Sequence, residues 1–302
     1  MFDDIPFTAR DGTRLYARRF RGGSTKRPVL CIPSLVGNSG EFDVIARALS
    51  QNGPDSRSVY CIDCRGRGRS RLGPGGKGSS MVTECEDILE LVTLAGLDDV
   101  AVLGNGYGGQ LAMILALLRP SAVGAVVLND SGPEFQIEGI VRLYGEVASM
   151  PLPQSWADAA AMLKGLHGRR YPGVAGDEWM ALAKSFYPEV KGRPARAYDP
   201  SIAVSHSLSR GTAHQQTMWP QFSVLNRRPV LLLRAELSDM LGEKTVARMR
   251  DANPNLEETA IPRQGHPALL RDAASIGAVN QFLLRHDAEG ATENDRVVRA
   301  VA

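Results

Sequence analysis

The 302-residue chain is predicted to be an α/β protein, with a mostly parallel central sheet flanked by helices and a block of helices inserted before the sheet is complete. Three observations carry this. Over the first 133 residues, short continuous apolar runs alternate with helical patterns, as in strands buried on both faces of a parallel sheet. From residue 134 to 220 only helical spacing is visible. The alternation then resumes at "RPVLLLRAE" and continues to residue 286.

The elements follow in order. "FTARDGTRLYARRF" alternates around Asp11-Gly12, which predicts a β-hairpin. "PVLCI" and "SVYCID" are apolar runs bounded by polar turns and read as strands. Between them "GEFDVIARALSQNG" has helical spacing and closes on Gly53. "SSMVTECEDILELVTLAG" is a second helix, again ended by glycine. "DVAVLG", "GQLAMILALLRP" and "AVGAVVLND" read as strand, helix and strand. In the inserted block, "EGIVRLYGEVAS", "SWADAAAMLKGLHG" and "DEWMALAKSFY" are predicted amphipathic helices, and no strand is expected there. "RPVLLLRAE", "EKTVARMRDAN", "LEETAIP" and "ASIGAVNQFLLRH" then supply strand, helix, strand and helix. The predicted organisation is a core of residues 1–133 and 221–286, a helical segment 134–220, and a loose polar tail 287–302.

Composition excludes several functions. Hydrophobic and charged contents of 43% and 23% are ordinary globular values and permit a packed core. The 35 basic and 33 acidic residues nearly cancel, so neither nucleic acid nor an anionic membrane is an expected partner. No run is long and apolar enough to cross a bilayer. The N-terminus has no apolar signal-peptide region, so a cytoplasmic location is expected. Cys61 and Cys64 form a C-x-x-C that does not open a helix and has no further ligands nearby. With Cys31 and Cys85 they are expected to be reduced thiols, not a redox or zinc site. "GPGGKGSS" lacks the G-K-[ST] ending of a phosphate loop and reads as an ordinary loop. No metal or cofactor is expected, and nothing in the sequence sets an oligomeric state.

The stretch "GNGYGG" after the strand "DVAVLG" fits two turns. Gly104, Gly106 and Gly109 match the dinucleotide pattern G-x-G-x-x-G, with Asp130 one strand later as the ribose carboxylate. Gly104, Gly106 and Gly108 also match a small-x-nucleophile-x-small turn with glycine at its centre. Downstream, Asp239 follows the strand "PVLLLRAE" and His266 follows "LEETAIP". The order of turn, acid and histidine is that of a hydrolase triad.

Together with the loop "DCRGRGRS", the segment "CIPSLVGNSGEF" and the inserted helices, this order resembles the α/β-hydrolase family over residues 6–286. "DCRGRGRS" is similar to the family's D-x-R-G-x-G-x-S loop, "CIPSLVGNSGEF" to its oxyanion segment, and the inserted helices to its cap. The resemblance implies an α/β-hydrolase fold and a small-molecule carbonyl substrate or ligand. It implies Gly106 at the nucleophile position, Asp239 as the acid, His266 as the base, and the N–H groups of Leu35 and Tyr107 as oxyanion donors. Asp130 is the alternative acid. Ser34 and Trp219 are candidates for substrate contact, while Trp156 and the arginines Arg169, Arg170 and Arg210 are expected in the cap core and on its solvated face, respectively.

Two positions depart from the family pattern. Gly106 stands where the family carries serine, aspartate or cysteine, and Pro33-Ser34 where the oxyanion segment usually ends in glycine. Glycine offers no attacking atom, so covalent catalysis at residue 106 is excluded. Three functions follow: a relative of hydrolases of small esters, lactones, amides or C–C bonds that has lost its nucleophile, a hydrolase using water activated by His266, or a non-catalytic binder. The dinucleotide oxidoreductase is a distant fourth.

Overall fold

A computed structural model of the chain describes residues 1–74, 80–202 and 217–301, with side chains through residue 287. Most of "GPGGKGSS", and Arg210, lie outside the described residues. The strands are β1 (Asp3–Thr8), β2 (Arg14–Phe20), β3 (Val29–Ile32), β4 (Val59–Asp63), β5 (Val100–Asn105), β6 (Val123–Asn129), β9 (Val230–Ala235) and β10 (Leu256–Ile261). They form one sheet in the order β1-β2-β4-β3-β5-β6-β9-β10. The hairpin β1-β2 and the β2-β4 pair are antiparallel, and every other pair is parallel.

Every residue of β3, β4 and β5 is buried, and their residues are apolar or glycine except for Asp63 and Asn105 at the carboxyl ends of β4 and β5. One apolar layer packs Leu30, Ile62 and Val102 against α2 (Met81–Leu94) and α3 (Tyr107–Leu118). The opposite layer packs Cys31, Cys61 and Leu103 against α1 (Asp43–Ser50) and the C-terminal helix. Ser80 caps α2 by accepting the Thr83 N–H, which fixes where that helix starts. All four cysteines are buried free thiols, and burial pushes Cys61, Cys64 and Cys85 up.

The chain runs outward from β3 to β4 on one side, and to β5, β6, β9 and β10 on the other. The switch point therefore lies between β3 and β5, and the crevice at their carboxyl ends is the favoured ligand site of an open parallel sheet. The described part of the segment between β6 and β9 lies over those ends. It contains α4 (Ile137–Ser149), α5 (Trp156–His167), α6 (Glu178–Phe186) and α7 (Trp219–Ser223).

Two expectations are corrected. The inserted segment holds a small hairpin, β7 (Glu189–Val190) with β8 (Arg193–Pro194). Its turn residues Lys191 and Gly192 have φ of 52° and 77°, as a tight two-residue turn between twisted strands needs. Two-residue strands are too short to leave a periodic signal. At the other end, α8 (Glu243–Ala252) precedes β10, and the final helix α9 (Ala273–Val301) continues through the stretch read as a loose tail.

Candidate active site

Gly106 forms the turn between β5 and α3, with φ 47° and ψ −104°. A side chain at such a backbone costs on the order of 1–3 kcal/mol. The neighbouring glycines serve close packing. A Cβ at Gly104 would fall 2.4 Å from the Gly108 carbonyl carbon, and one at Gly108 would fall 2.2 Å from the Ile32 oxygen. Gly104 therefore lets α3 close on β5, and Gly108 lets it nest against the end of β3.

His266 lies in the loop after β10. Its Nδ1 is 2.8 Å from Asp130 Oδ2. Asp130, just past β6, is fully buried, and its carboxylate also accepts the Ala235 N–H at 3.1 Å and the Ser238 hydroxyl at 2.6 Å. With Nδ1–H donated to Asp130, the Nε2 lone pair faces the turn: a Cβ built on Gly106 would sit 2.7 Å from Nε2. Tyr171, from the inserted segment, fixes the loop by donating to the carbonyls of His266 and Pro267 at 2.9 and 2.8 Å.

The structure thus brings Asp130, not Asp239, to the histidine. The carboxylate of Asp239 accepts both the Nε and the Nη2 of Arg142 on α4. That pairing holds its carboxyl below the usual range although partial burial opposes it. The physical reason is distance along the chain. Asp130 leaves β6 with a left-handed φ of 49°, which turns its carboxylate over the sheet end. Asp239 lies four residues beyond the end of β9, within reach of α4. Asp130 is also unavailable to a ribose, which removes the main support for the dinucleotide reading.

Leu35 and Tyr107 line the same cavity as His266. The loop "DCRGRGRS" sets both. Arg67, fully buried, donates Nε to the Leu35 carbonyl and pairs Nη1 with Glu84 of α2 at 2.9 Å. Its guanidinium lies 5.6 Å from the Tyr107 ring centre. Asp63 holds the following turn by accepting the N–H groups of Ser39 at 2.7 Å and Arg69 at 2.8 Å.

Glu41 belongs to the site and was missed in the sequence. Its carboxyl receives the Ser34 N–H and the Asn105 side-chain amide, each at 3.0 Å, and the Ser34 hydroxyl. Asn105 in turn accepts from Asn129 at 2.8 Å, so a polar relay crosses from β6 to the β3 loop. Burial pushes the Glu41 carboxyl up despite those bonds. In sequence Glu41 looks like an ordinary acid near a helix start, and no local signal marks it. Ser34, a candidate for substrate contact, lines the cavity, with its hydroxyl directed to Glu41.

The cavity encloses about 190 Å³ and is bounded mainly by apolar side chains, among them Phe135, Ile140, Leu143, Trp179, Phe186 and Met240. Trp219 is not among them. Its indole donates to Glu134 at 3.2 Å, and its ring packs on Arg248 and Phe222 outside the cavity. Trp179 is the tryptophan that faces the site. Arg169 is exposed as expected, but Arg170 turns inward and pairs with Glu146 at 2.8 Å. His167 accepts a hydrogen bond from Arg170, and burial with that neighbouring cation pushes its pKa down to about 4. Among the described residues no group of three or more His, Cys, Asp or Glu side chains could hold a metal, and no helix is long and apolar enough to cross a membrane.

This arrangement of turn, histidine and strand-end acid at the edge of a parallel sheet defines a hydrolase class of fold. The family model for the alpha/beta hydrolase fold matches residues 27–273, and the chain belongs to that family. It is 28% identical to a 3-hydroxybutyrate-oligomer hydrolase of Cupriavidus necator over 267 residues, covering 85% of this chain and 88% of that protein. It is 25% identical to a 2-(acetamidomethylene)succinate hydrolase of Mesorhizobium japonicum, covering 79% and 81%. Among solved structures, an alpha/beta hydrolase from Novosphingobium aromaticivorans superimposes with a TM-score of 0.85 at 34% identity, covering 94% of this chain and 98% of that one.

Proposed function

We propose that the chain acts on small carbonyl compounds (esters, lactones, amides or activated C–C bonds), with Gly106 at the nucleophile position of the family and with attack by water in place of an acyl-enzyme. The carrying observation is the pairing of His266 with Asp130 while Nε2 faces a turn that has no side chain. His266 takes a proton from water at Nε2 as the water oxygen bonds to the carbonyl carbon. Asp130 stabilises the imidazolium, and Ser238 and the Ala235 N–H hold Asp130 in place. The N–H groups of Leu35 and Tyr107 receive the charge that develops on the carbonyl oxygen. When the tetrahedral adduct collapses, the imidazolium returns the proton to the leaving group. The inserted helices act as a cap that closes the apolar chamber.

A second reading, a binder without turnover, is favoured by one observation: the imidazole stands so close that a nucleophile's Cβ would meet it at 2.7 Å. Steady-state hydrolysis of 4-nitrophenyl butyrate separates the two. The water route gives turnover with no burst, and His266→Ala lowers it by about 100-fold or more. A burst, or turnover indifferent to His266→Ala, overturns the water route. Saturable binding of the ester without product formation establishes the binder.

A further inference from the structure

Among the described residues, two of the three arginines that line the cavity are ion-paired and one is not. Arg142 is paired with Asp239 and Glu146, and Arg170 with Glu146. Arg271 also lines the cavity, five residues after His266, and has no ion pair among the described residues. It is only partly exposed, and burial holds its guanidinium below the usual arginine range.

Glu178 and Asp43 attract Arg271 without forming an ion pair with it, and the nearby carboxylates are engaged by other groups. Asp272, adjacent in sequence, caps α9 through Ser275 and accepts from Gln264 at 2.6 Å. Glu178 accepts the Ala175 N–H at 2.7 Å, and Asp43 pairs with Arg18 at 2.8 Å. Glu41 is held by Ser34 and Asn105. The loop that carries Arg271 is fixed by the buried side chains of Ala268 and Leu270 and by the bond from Leu269 N–H to Gln264. A half-buried cation on a fixed loop, beside a chamber in which both other arginines are neutralised, is an open anion subsite. Guanidinium geometry suits a carboxylate in particular, because two parallel N–H groups match its two oxygens.

We propose that the ligand carries a carboxylate in addition to the carbonyl at His266, and that Arg271 binds that carboxylate. The substrate class is a small acid with a second carbonyl function: a half-ester, an ester of a hydroxy acid, or an N-acyl amino acid. This rests on the reading of the cavity as the substrate chamber, but it does not depend on turnover. The apolar walls take the carbon chain between the two functions.

Calorimetric titration with monomethyl glutarate and dimethyl glutarate at neutral pH tests it. The wild-type protein is expected to bind the half-ester about 10-fold or more tightly than the diester. Arg271→Gln is expected to bring the two within about twofold, and Arg271→Lys, which keeps the charge without the fork, to retain part of the preference. Circular dichroism establishes that the variants are folded. If Arg271→Gln does not fold, the loss of fork geometry in Arg271→Lys alone decides the matter, since an unchanged preference there excludes a bidentate role. Equal binding of the two ligands by the wild type, no binding of the half-ester, or a preference that survives Arg271→Gln overturns the proposal. Preferential binding without hydrolysis refutes the water route and leaves the carboxylate subsite standing; hydrolysis of the diester without preference for the half-ester does the reverse.

Discussion

At the scale of single residues, the turn and the histidine beside it are packed around a position without a side chain. Gly106 relieves the left-handed backbone, and the His266 ring occupies the approach to it. Gly106→Ser is expected to lower stability by about 1–2 kcal/mol, read as a drop in Tm, because Cβ restores backbone strain and the imidazole must retreat. The same variant is expected to gain a burst with 4-nitrophenyl esters and a mass increase of one acyl group, since a hydroxyl would then lie beside the His266–Asp130 pair. Glu41 carries a different consequence. Its folded carboxyl titrates above its unfolded value. Its contribution to stability is therefore complete below about pH 4.5 and is lost as pH rises through the folded value. Gln in its place keeps an oxygen for the Ser34 and Asn105 donors and an amide for the Ser34 hydroxyl. The Tm of Glu41→Gln relative to wild type is expected to rise between pH 4 and pH 8; a difference that is flat with pH would show the carboxyl to be unperturbed.

At the scale of elements, α4, the end of α5 and the turn after it share a cluster of Arg142, Glu146, His167 and Arg170. His167 serves as an acceptor there and must stay neutral to do so. Its pKa falls from 6.5 to about 4 on folding, so the unfolded chain binds more protons across that interval. Stability is expected to decline as pH drops from 6.5 toward 4, by up to about 2–3 kcal/mol. His167→Gln, which retains an acceptor for Arg170, is expected to flatten that part of the Tm profile.

At the scale of the whole molecule, the sheet was legible because strands buried on both faces are dominated by apolar residues, as in Val29–Ile32 of β3, Val100–Leu103 of β5 and Val230–Leu233 of β9. The histidine and the turn were legible because chain order places both at strand ends. The choice of acid was not. Asp130 and Asp239 both follow strands, and only tertiary contacts separate them: His266 meets Asp130, and Arg142 of α4 takes Asp239. The contact with Arg142 joins residues 97 apart and leaves no trace in local pattern. Glu41 and Arg271 were hidden for a related reason: each looks like a surface charge until the elements around it assemble. The misplacement of Trp219 has the same origin, since burial of an indole says nothing about which side of a helix it covers.

The retained His266–Asp130 pair beneath a glycine turn also bears on inheritance. For a glycine codon ending in a pyrimidine, exchange of the first base yields serine. On the proposed mechanism, a gene carrying such a codon at position 106 would move between attack by water and attack by serine in a single mutational event. The His266–Asp130 pair and the backbone at Leu35 and Tyr107 would be present on either side of that event, and a shift of the imidazole away from residue 106 would be the adjustment that the serine requires.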